Sequence, residues 1–419
     1  MPETGRRRVA VVTGCRTPFC KAGTTLKEAR AVDLARLAAR ELVYRSNLDP
    51  STVDEVIYGQ VVPSALIPNV AREVSLLPQF PKEIPAYTLN RACASATQAV
   101  AAAHDQIALG HANVIIAGGV ELLSDIPILA SRRLSDILVT ASRAKSLGAR
   151  LAAFARIRPR DLIPVSPAIS EPSTGETMGQ SAEKMAKENG ISRDAQDRWA
   201  LRSHQLAAKG TADGRLTAEI APWFPPRSDQ APLTSDNGIR ADSTLEQMSK
   251  LGPVFDRKYG SVTAANASPL TDGASAVLLM SEEAARTAGH RPLAFIRSYA
   301  VAAVDPGWQL LQAPIKAVPK ALERAGLGWK DLGLIEIHEA FASQVLSNLQ
   351  GFERLGWEIN HDIINVMGGS IAIGHPFGAT GGRLVTTLAN EMARRDVQFG
   401  LISVCAQGGM GFAMVLERR

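Results

Sequence analysis

Cysteine is scarce in this chain of 419 residues: Cys15, Cys20, Cys93 and Cys405 are too few for a disulfide framework at this length. No CxxC pair and no HxxxH spacing occurs, which removes the usual zinc signatures. No apolar run reaches the ~18 residues of a membrane helix. Val9–Thr13, behind Arg6–Arg8, is too short for a signal-peptide core. The final Leu416-Glu417-Arg418-Arg419 shows neither a lipidation nor a peroxisomal pattern. These absences predict a reduced, soluble, cytoplasmic protein. An excess of charge of one sign is also nearly missing, with 46 Lys and Arg against 41 Asp and Glu. A net charge of +5, with 46% apolar and 21% charged residues, excludes wholesale disorder and does not by itself indicate nucleic acid.

What charge there is lies in one place. Ser131–Arg160 holds Arg132, Arg133, Arg143, Lys145, Arg150, Arg156, Arg158 and Arg160 against the single acid Asp136. That window carries +7, so the remainder carries −2. Between the cations, Leu134, Leu138, Ala141, Leu147, Leu151 and Phe154 follow near-helical spacing, with Gly148 a weak point. A basic amphipathic helix of this kind suits a partner surface or a membrane surface. It lacks the interleaved aromatics of a nucleic-acid binder.

A chain of 419 residues predicts two or three domains, or one large α/β body, and the order of elements predicts the α/β class. Val9–Thr13, Val53–Val61 and Asn113–Ala117 read as strands, and Cys93–Leu109 as a helix stopping at Gly110, a rhythm that predicts a parallel sheet covered by helices. From about 126 to 255 the rhythm breaks. Turns at Pro159, Pro164, Pro167 and Pro172 precede a helix near Gly179 and another behind Ser192, and loops follow at Pro222, Pro225, Pro226 and Pro232. The rhythm resumes at Ser261–Ala265 and Ala274–Met280, then starts again after His290. A small-residue loop, a helix and an apolar strand occur at 91–118 and again at 368–404, which suggests a duplicated domain.

Four segments carry chemistry. Asn90-Arg91-Ala92-Cys93-Ala94-Ser95-Ala96 sets a cysteine where a loop becomes a helix, where free N–H groups and the helix dipole favour a thiolate nucleophile; a buried structural cysteine is the alternative. Gly368–Pro376 is glycine-dense and holds His375 between Gly374 and Pro376, a constrained candidate base. Ile335-Glu336-Ile337-His338-Glu339-Ala340-Phe341 ends a strand, where ligands gather in open α/β sheets. Val404-Cys405-Ala406-Gln407-Gly408-Gly409-Met410-Gly411 places a second cysteine before a glycine turn. Metal binding is the rival reading, but no ligands are paired in sequence.

Together these segments resemble a thiolase, most closely the 3-ketoacyl-CoA thiolases of the trifunctional-enzyme β-subunit type. The resemblance spans nearly the whole chain. It takes in Arg16-Thr17-Pro18-Phe19, the Cys93 segment, Gly118–Glu121, Thr263–Ser268, Asp272-Gly273-Ala274, His338-Glu339-Ala340-Phe341, Gly374-His375-Pro376 and the Cys405 turn. His338 stands where many biosynthetic thiolases have Asn, which favours the degradative type. The resemblance implies a five-layered α-β-α-β-α fold of two duplicated halves, residues 1–125 with 256–288 and residues 289–419, plus a loop domain at 126–255. It implies Cys93 as nucleophile, His375 as base and Cys405 as acid. One oxyanion hole would pair His375 with a water held by His338, and the other would use the backbone N–H groups of Cys93 and Gln407. Many relatives have a small residue at the Gln407 position, so its side chain is expected to narrow the pocket. Met178, Arg240, Ser268 and Phe341 fall on positions resembling coenzyme A contacts.

The implied activity is thiolytic cleavage of 3-ketoacyl-CoA in fatty-acid β-oxidation through an acyl-Cys93 intermediate, with coenzyme A as co-substrate and no metal or other cofactor. Acetoacetyl-CoA synthesis uses the same residues in reverse, and a CoA-ester-binding protein without turnover is the non-enzyme alternative. A ketoacyl synthase would carry one cysteine with a His pair or His/Lys. The implied partners are a second copy of the chain and a hydratase/dehydrogenase α-subunit, with 131–160 touching the partner or a membrane and no nucleic acid involved.

Overall fold

The computed structural model describes residues 7–164, 170–225 and 231–419. Pro167 and Pro226, read above as turn and loop positions, lie outside the described residues. Among the described residues, ten strands form the sheet: β1 (Val9–Arg16), β2 (Cys20–Lys21), β3 (Glu55–Gly59), β4 (Ala86–Leu89), β5 (Val114–Glu121), β6 (Thr271–Ser281), β7 (Ala294–Ala303), β8 (Leu334–Ile337), β9 (Phe399–Ala406) and β10 (Met410–Glu417). Their order is β4-β3-β5-β6-β1-β7-β10-β9-β8, with β2 against β6.

The sheet is mixed, which corrects the expectation of a parallel one. β3 runs parallel to β4 and β5, and β8 parallel to β9. β5/β6, β6/β1, β9/β10 and β10/β7 are antiparallel. The two series match step for step, β3-β5-β6-β1 and β8-β9-β10-β7, so the duplication is one of topology. Only two register pairs, Ala10 with Phe295 and Val11 with Ala294, join β1 to β7.

Helices fill three layers. α1 (Ala31–Ser46) and α2 (Val70–Ser75) cover the outer face of the first half-sheet through Leu34, Ala38, Leu42 and Val74. α3 (Ser95–Ala108) lies inside. In the middle of the chain come α4 (Arg132–Arg143), α5 (Leu147–Phe154), α6 (Met178–Glu188), α7 (Arg193–Ala212) and α8 (Leu245–Ser249). α9 (Glu282–Thr287) follows β6. α10 (Pro314–Ala325) and α11 (Ala342–Glu353) cover the second half-sheet through Val318, Leu322 and Val345, then α12 (Ser370–Ile373) and α13 (Thr380–Arg395) complete the chain. α3 and α13 share one apolar cluster with strands of both halves, which makes them the central layer of an α-β-α-β-α stack. Their approach is close enough that a Cβ on Gly381 would meet the Thr97 nitrogen at 2.4 Å.

Two local expectations fail for identifiable reasons. Ser261–Ala265 is a loop, because Asn266 Oδ1 accepts from the Thr263 N–H and Thr263 Oγ1 from the Ala265 N–H, local bonds that compete with a strand ladder. The basic amphipathic stretch is two helices: α4 ends at Arg143, and Ser146 caps α5 by accepting from the Ala149 N–H. Among the described residues, no helix is long and apolar enough to cross a membrane.

Candidate active site

The chain reaches Cys93 from β4 through a strained turn. Ala92 sits at φ 45°, a left-handed conformation uncommon for a residue with a Cβ. Asn90 Oδ1 accepts from the Ala92 N–H (2.8 Å), and Ser95 Oγ accepts from the Arg91 N–H (2.9 Å) while donating to the Ala92 carbonyl (2.6 Å). The turn delivers Cys93 two residues ahead of α3. From the second half-sheet, β9 ends at Cys405 and Ala406, and Gln407 leads into Gly408 and Gly409, both with positive φ.

The N–H groups of Gln407 and of Cys93 itself act on the Cys93 sulfur and lower its pKa, yet burial dominates and pushes the thiol up to about 11. The dipole-favoured thiolate expected from the sequence is therefore outweighed by desolvation. Cys405 is buried and its thiol is pushed up further, first by burial and then by the neighbouring Cys93.

His338 and His375 complete the group. Their ring centroids lie 4.1 Å apart, and one ring nitrogen of each lies within 4.8 Å of the other and of Cys93 Sγ. Both rings are buried, and neither Nε2 has a hydrogen-bond partner among the described residues. The Nδ1 atoms face outward. Thr380 Oγ1 donates its hydrogen to the Pro376 carbonyl (2.9 Å), so it accepts from His375 Nδ1–H (2.6 Å). His375 therefore turns an Nε2 lone pair toward Cys93. Its backbone is fixed by Thr271 Oγ1, which accepts from the His375 N–H at 3.0 Å. His338 Nδ1 meets Ser370 Oγ at 2.9 Å, and Arg383 donates to that oxygen at 3.2 Å. Burial holds His375 down to about 3, with the Arg383 cation adding to it, and holds His338 well below the usual histidine range, with His375 and Arg383 adding to it. Both imidazoles are neutral at physiological pH.

A metal is the other occupant such a trio suggests. Binding through both Nε2 atoms asks each Nδ1–H to donate outward. Thr380 satisfies that for His375. Ser370, already accepting from Arg383, is arranged to donate to His338, so the donor set fits a metal poorly.

Buried polar residues tie the parts together. Arg383 pairs with Glu336 at 2.8 Å, both buried. Glu339 accepts from Trp199 Nε1 (3.0 Å), Ser203 Oγ (2.7 Å) and Asn365 Nδ2 (2.8 Å), binding α7 to the end of β8. Glu121 accepts from the N–H groups of Val61, Val62 and Gly378, each at 3.0 Å, and burial lifts its carboxyl to about 7. The Gln407 side chain, expected to narrow the pocket, is tied to the preceding loop: its Nε2 donates to the Ser170 carbonyl at 2.9 Å, while Glu171 accepts from the Gly408 N–H at 2.9 Å.

The four expected coenzyme A contacts fall into two places. Arg240 and Ser268 line a cleft of about 620 Å3 together with Lys21, His204 and Ile371. Ser268 is set there because its N–H donates to the Ala340 carbonyl (2.9 Å), pairing 266–268 with the 340–342 segment. Met178 and Phe341 do not line that cleft. They pack with Phe255 against the apolar cluster that contains Cys405, Leu310 and Leu311. The structure brings together the four side chains singled out in the sequence, Cys93, His338, His375 and Cys405. Sequence reasoning missed Thr380, Arg383 and the role of Ser370, although Ser370 stood out as the one polar side chain between Gly369 and His375.

The similarity of the chain to known proteins runs over nearly its whole length. Residues 9–283 match the thiolase N-terminal domain and residues 290–418 the thiolase C-terminal domain. The chain is 47% identical over 423 residues to a 3-ketoacyl-CoA thiolase of Yersinia enterocolitica, covering 98% of this chain and 97% of that one. It is 47% identical, with the same coverage, to a 3-ketoacyl-CoA thiolase of Cronobacter sakazakii. Among solved structures, the Bacillus anthracis acetyl-CoA acetyltransferase superposes with a TM-score of 0.88 at 34% identity over 100% of both chains. Human mitochondrial 3-ketoacyl-CoA thiolase in complex with CoA superposes with a TM-score of 0.85 at 33% identity, over 99% of this chain and 98% of that one.

Proposed function

The chain belongs to the thiolase family and is an acyltransferase of the 3-ketoacyl-CoA thiolase type, and from that premise we propose that Cys93, His375, His338 and Cys405 carry out CoA-dependent thiolysis. The observation that supports it most is the convergence of a cysteine with two neutral histidines whose Nε2 atoms have no partner among the described residues, beside a second buried thiol.

At rest Cys93 is a thiol and His375 a neutral base. Cys93 Sγ attacks the C3 keto carbon of a 3-ketoacyl-CoA as His375 Nε2 takes the thiol proton. The C2–C3 bond breaks, leaving an acyl group on Cys93 and the electron pair on the enolate of acetyl-CoA. Protonated His375 and a water held by His338 face that enolate oxygen. Cys405 protonates C2 and releases acetyl-CoA. Coenzyme A then gives its thiol proton to the Cys405 thiolate and attacks the acyl carbonyl, whose oxygen is held by the N–H groups of Cys93 and Gln407. The shortened acyl-CoA departs, and His375 returns its proton to Cys93. No metal or further cofactor is required by these steps.

The cleft at Arg240 and Ser268 is assigned to the nucleotide and pantetheine end of coenzyme A, and the apolar cluster at Met178 and Phe341 to the side nearest the acyl group. Residues 1–125 with 256–288 and residues 289–419 are the two catalytic halves in this reading, and 126–255 is the loop domain. α4 and α5 expose Leu138, Val139, Leu147, Leu151 and Phe154 among the basic residues. This surface is assigned to docking an acidic face of a hydratase/dehydrogenase subunit onto a cytoplasmic homodimer.

The test is acyl trapping with a panel of 3-ketoacyl-CoAs from C4 to C16. A label on Cys93 and turnover beyond C4 are expected. A label on another residue overturns the nucleophile assignment, and turnover confined to C4 reassigns the enzyme to acetoacetyl-CoA chemistry, which the same residues catalyse in the condensation direction.

A further inference from the structure

His338 and His375 are chemically alike, equally buried and 4.1 Å apart, yet the reaction needs opposite things from them. His375 must present a lone pair to the Cys93 proton. His338 must present an N–H to hold a water. Nothing in an imidazole pair alone sets which ring takes which tautomer. The surroundings set it.

For His375 the selector is Thr380, whose hydroxyl hydrogen is committed to the Pro376 carbonyl and whose oxygen therefore accepts from Nδ1–H. For His338 it is the reverse. Ser370 Oγ already accepts from the buried Arg383, and Arg383 is held in turn by Glu336. Among the described partners, the hydroxyl hydrogen of Ser370 has one acceptor, His338 Nδ1 at 2.9 Å. With Nδ1 as acceptor, the proton of a neutral His338 sits on Nε2. Glu336, Arg383 and Ser370 thus form a directed chain that ends in a donor, while Pro376 and Thr380 form one that ends in an acceptor.

We propose that Ser370, oriented by Arg383, is a positioning residue that holds His338 in its Nε2–H tautomer and so makes His338 the donor and His375 the acceptor of the pair. The inference rests on the thiolytic reading of the site. Ser370 is the first residue of α12, and its hydroxyl reaches His338, just past the end of β8 and 32 residues back in the chain.

The decisive experiment is a double-mutant cycle on the full-length enzyme, with steady-state thiolysis as the readout. Ser370→Ala alone should lower kcat by about 10–100-fold, the usual effect of removing a partner that orients a functional histidine, while KM changes by less than about threefold. In a His338→Asn background the same Ser370→Ala change should cost less than about twofold, because a carboxamide always carries N–H donors and has no tautomer to select. A purely structural role for Ser370 would cost equally in both backgrounds, and that outcome overturns the proposal. Histidine side-chain 15N NMR on the unmutated enzyme supplies a second test independent of variant folding. An unprotonated Nδ1 for His338 and an unprotonated Nε2 for His375 are expected; a protonated Nδ1 on His338 refutes the assignment. If the unmutated enzyme shows no thiolysis at all, the underlying reading fails instead, and the two failures are distinguishable.

Discussion

Replacing His375 with Gln exposes the acidity of Cys93 directly. In the unmutated enzyme the thiol proton leaves to a neutral base, so acylation should not depend on the thiolate fraction in bulk water. Burial holds Cys93 up to about 11 and His375 down to about 3, so neither group changes charge between pH 5 and 9. Without the base, only the ionised fraction reacts. A thiol titrating at about 11 is ~0.1% ionised at pH 8 and ~10% at pH 10, a rise of about 100-fold. A thiol at the ordinary value would level off near pH 9. The assay is the rate of Cys93 acetylation by acetyl-CoA, quenched and read by intact mass, with circular dichroism confirming that the fold survives pH 10. His375→Gln should react about 10²–10⁴-fold more slowly at pH 8 and then climb tenfold per pH unit, while the unmutated enzyme stays nearly flat. A flat profile in the variant, or an equally steep one in the unmutated enzyme, refutes the reasoning.

Cys405→Ala should abolish carbon–carbon cleavage yet leave Cys93 open to acylation by simple acyl-CoAs, read as intact-mass labelling without release of acetyl-CoA; equal loss of both steps would mean that Cys405 is not the acid. Asp236→Ala removes the two bonds of 2.6 and 2.8 Å that hold the fully buried Arg16 guanidinium and leaves it only Glu219 at 3.8 Å, and should cost ~3 kcal/mol, read as a drop in Tm. Changing Arg132, Arg133, Arg143 and Lys145 together to Gln should weaken association with the partner subunit and leave turnover of soluble substrates intact, whereas collapse of turnover would place α4 in the catalytic site. If liposome binding falls and subunit association does not, the surface belongs to a membrane.

The legible parts of the sequence were those whose chemistry is local. A histidine fixed between Gly374 and Pro376, a cysteine at a loop-to-helix junction and a cysteine before paired glycines each announce a special backbone position in a few residues. The unread parts are pairings made across the fold. Thr380 and Arg383 look like ordinary residues of α13, and their roles appear only when the central layer brings them to His375 and to Ser370. The strand directions were misjudged for the same reason. β6 returns to β5 after an excursion of about 150 residues and β10 turns back on β9, and neither reversal leaves a periodicity signal in the strands themselves. The amphipathic stretch at 131–157 kept its helical spacing across a break that only the Ser146 cap could mark.

Cys93 shows why the position of a residue in a chain and its environment in a fold have to be weighed against each other. A helix N-terminus contributes ~0.3–1 kcal/mol toward an anion when exposed, and the N–H groups of Cys93 and Gln407 add to it. Desolvation against the central apolar cluster is the larger effect even though Cys93 stays half-buried, and the thiol ends at about 11. The N–H groups are therefore poorly matched to a resting thiolate and better matched to the oxyanion of an acyl group on the same sulfur. Keeping Cys93 protonated until a keto carbon arrives also keeps it from reacting with adventitious electrophiles, since the thiolate is the reactive form. The neutral His375, its lone pair aimed inward by Thr380, supplies the missing driving force only when the substrate is in place.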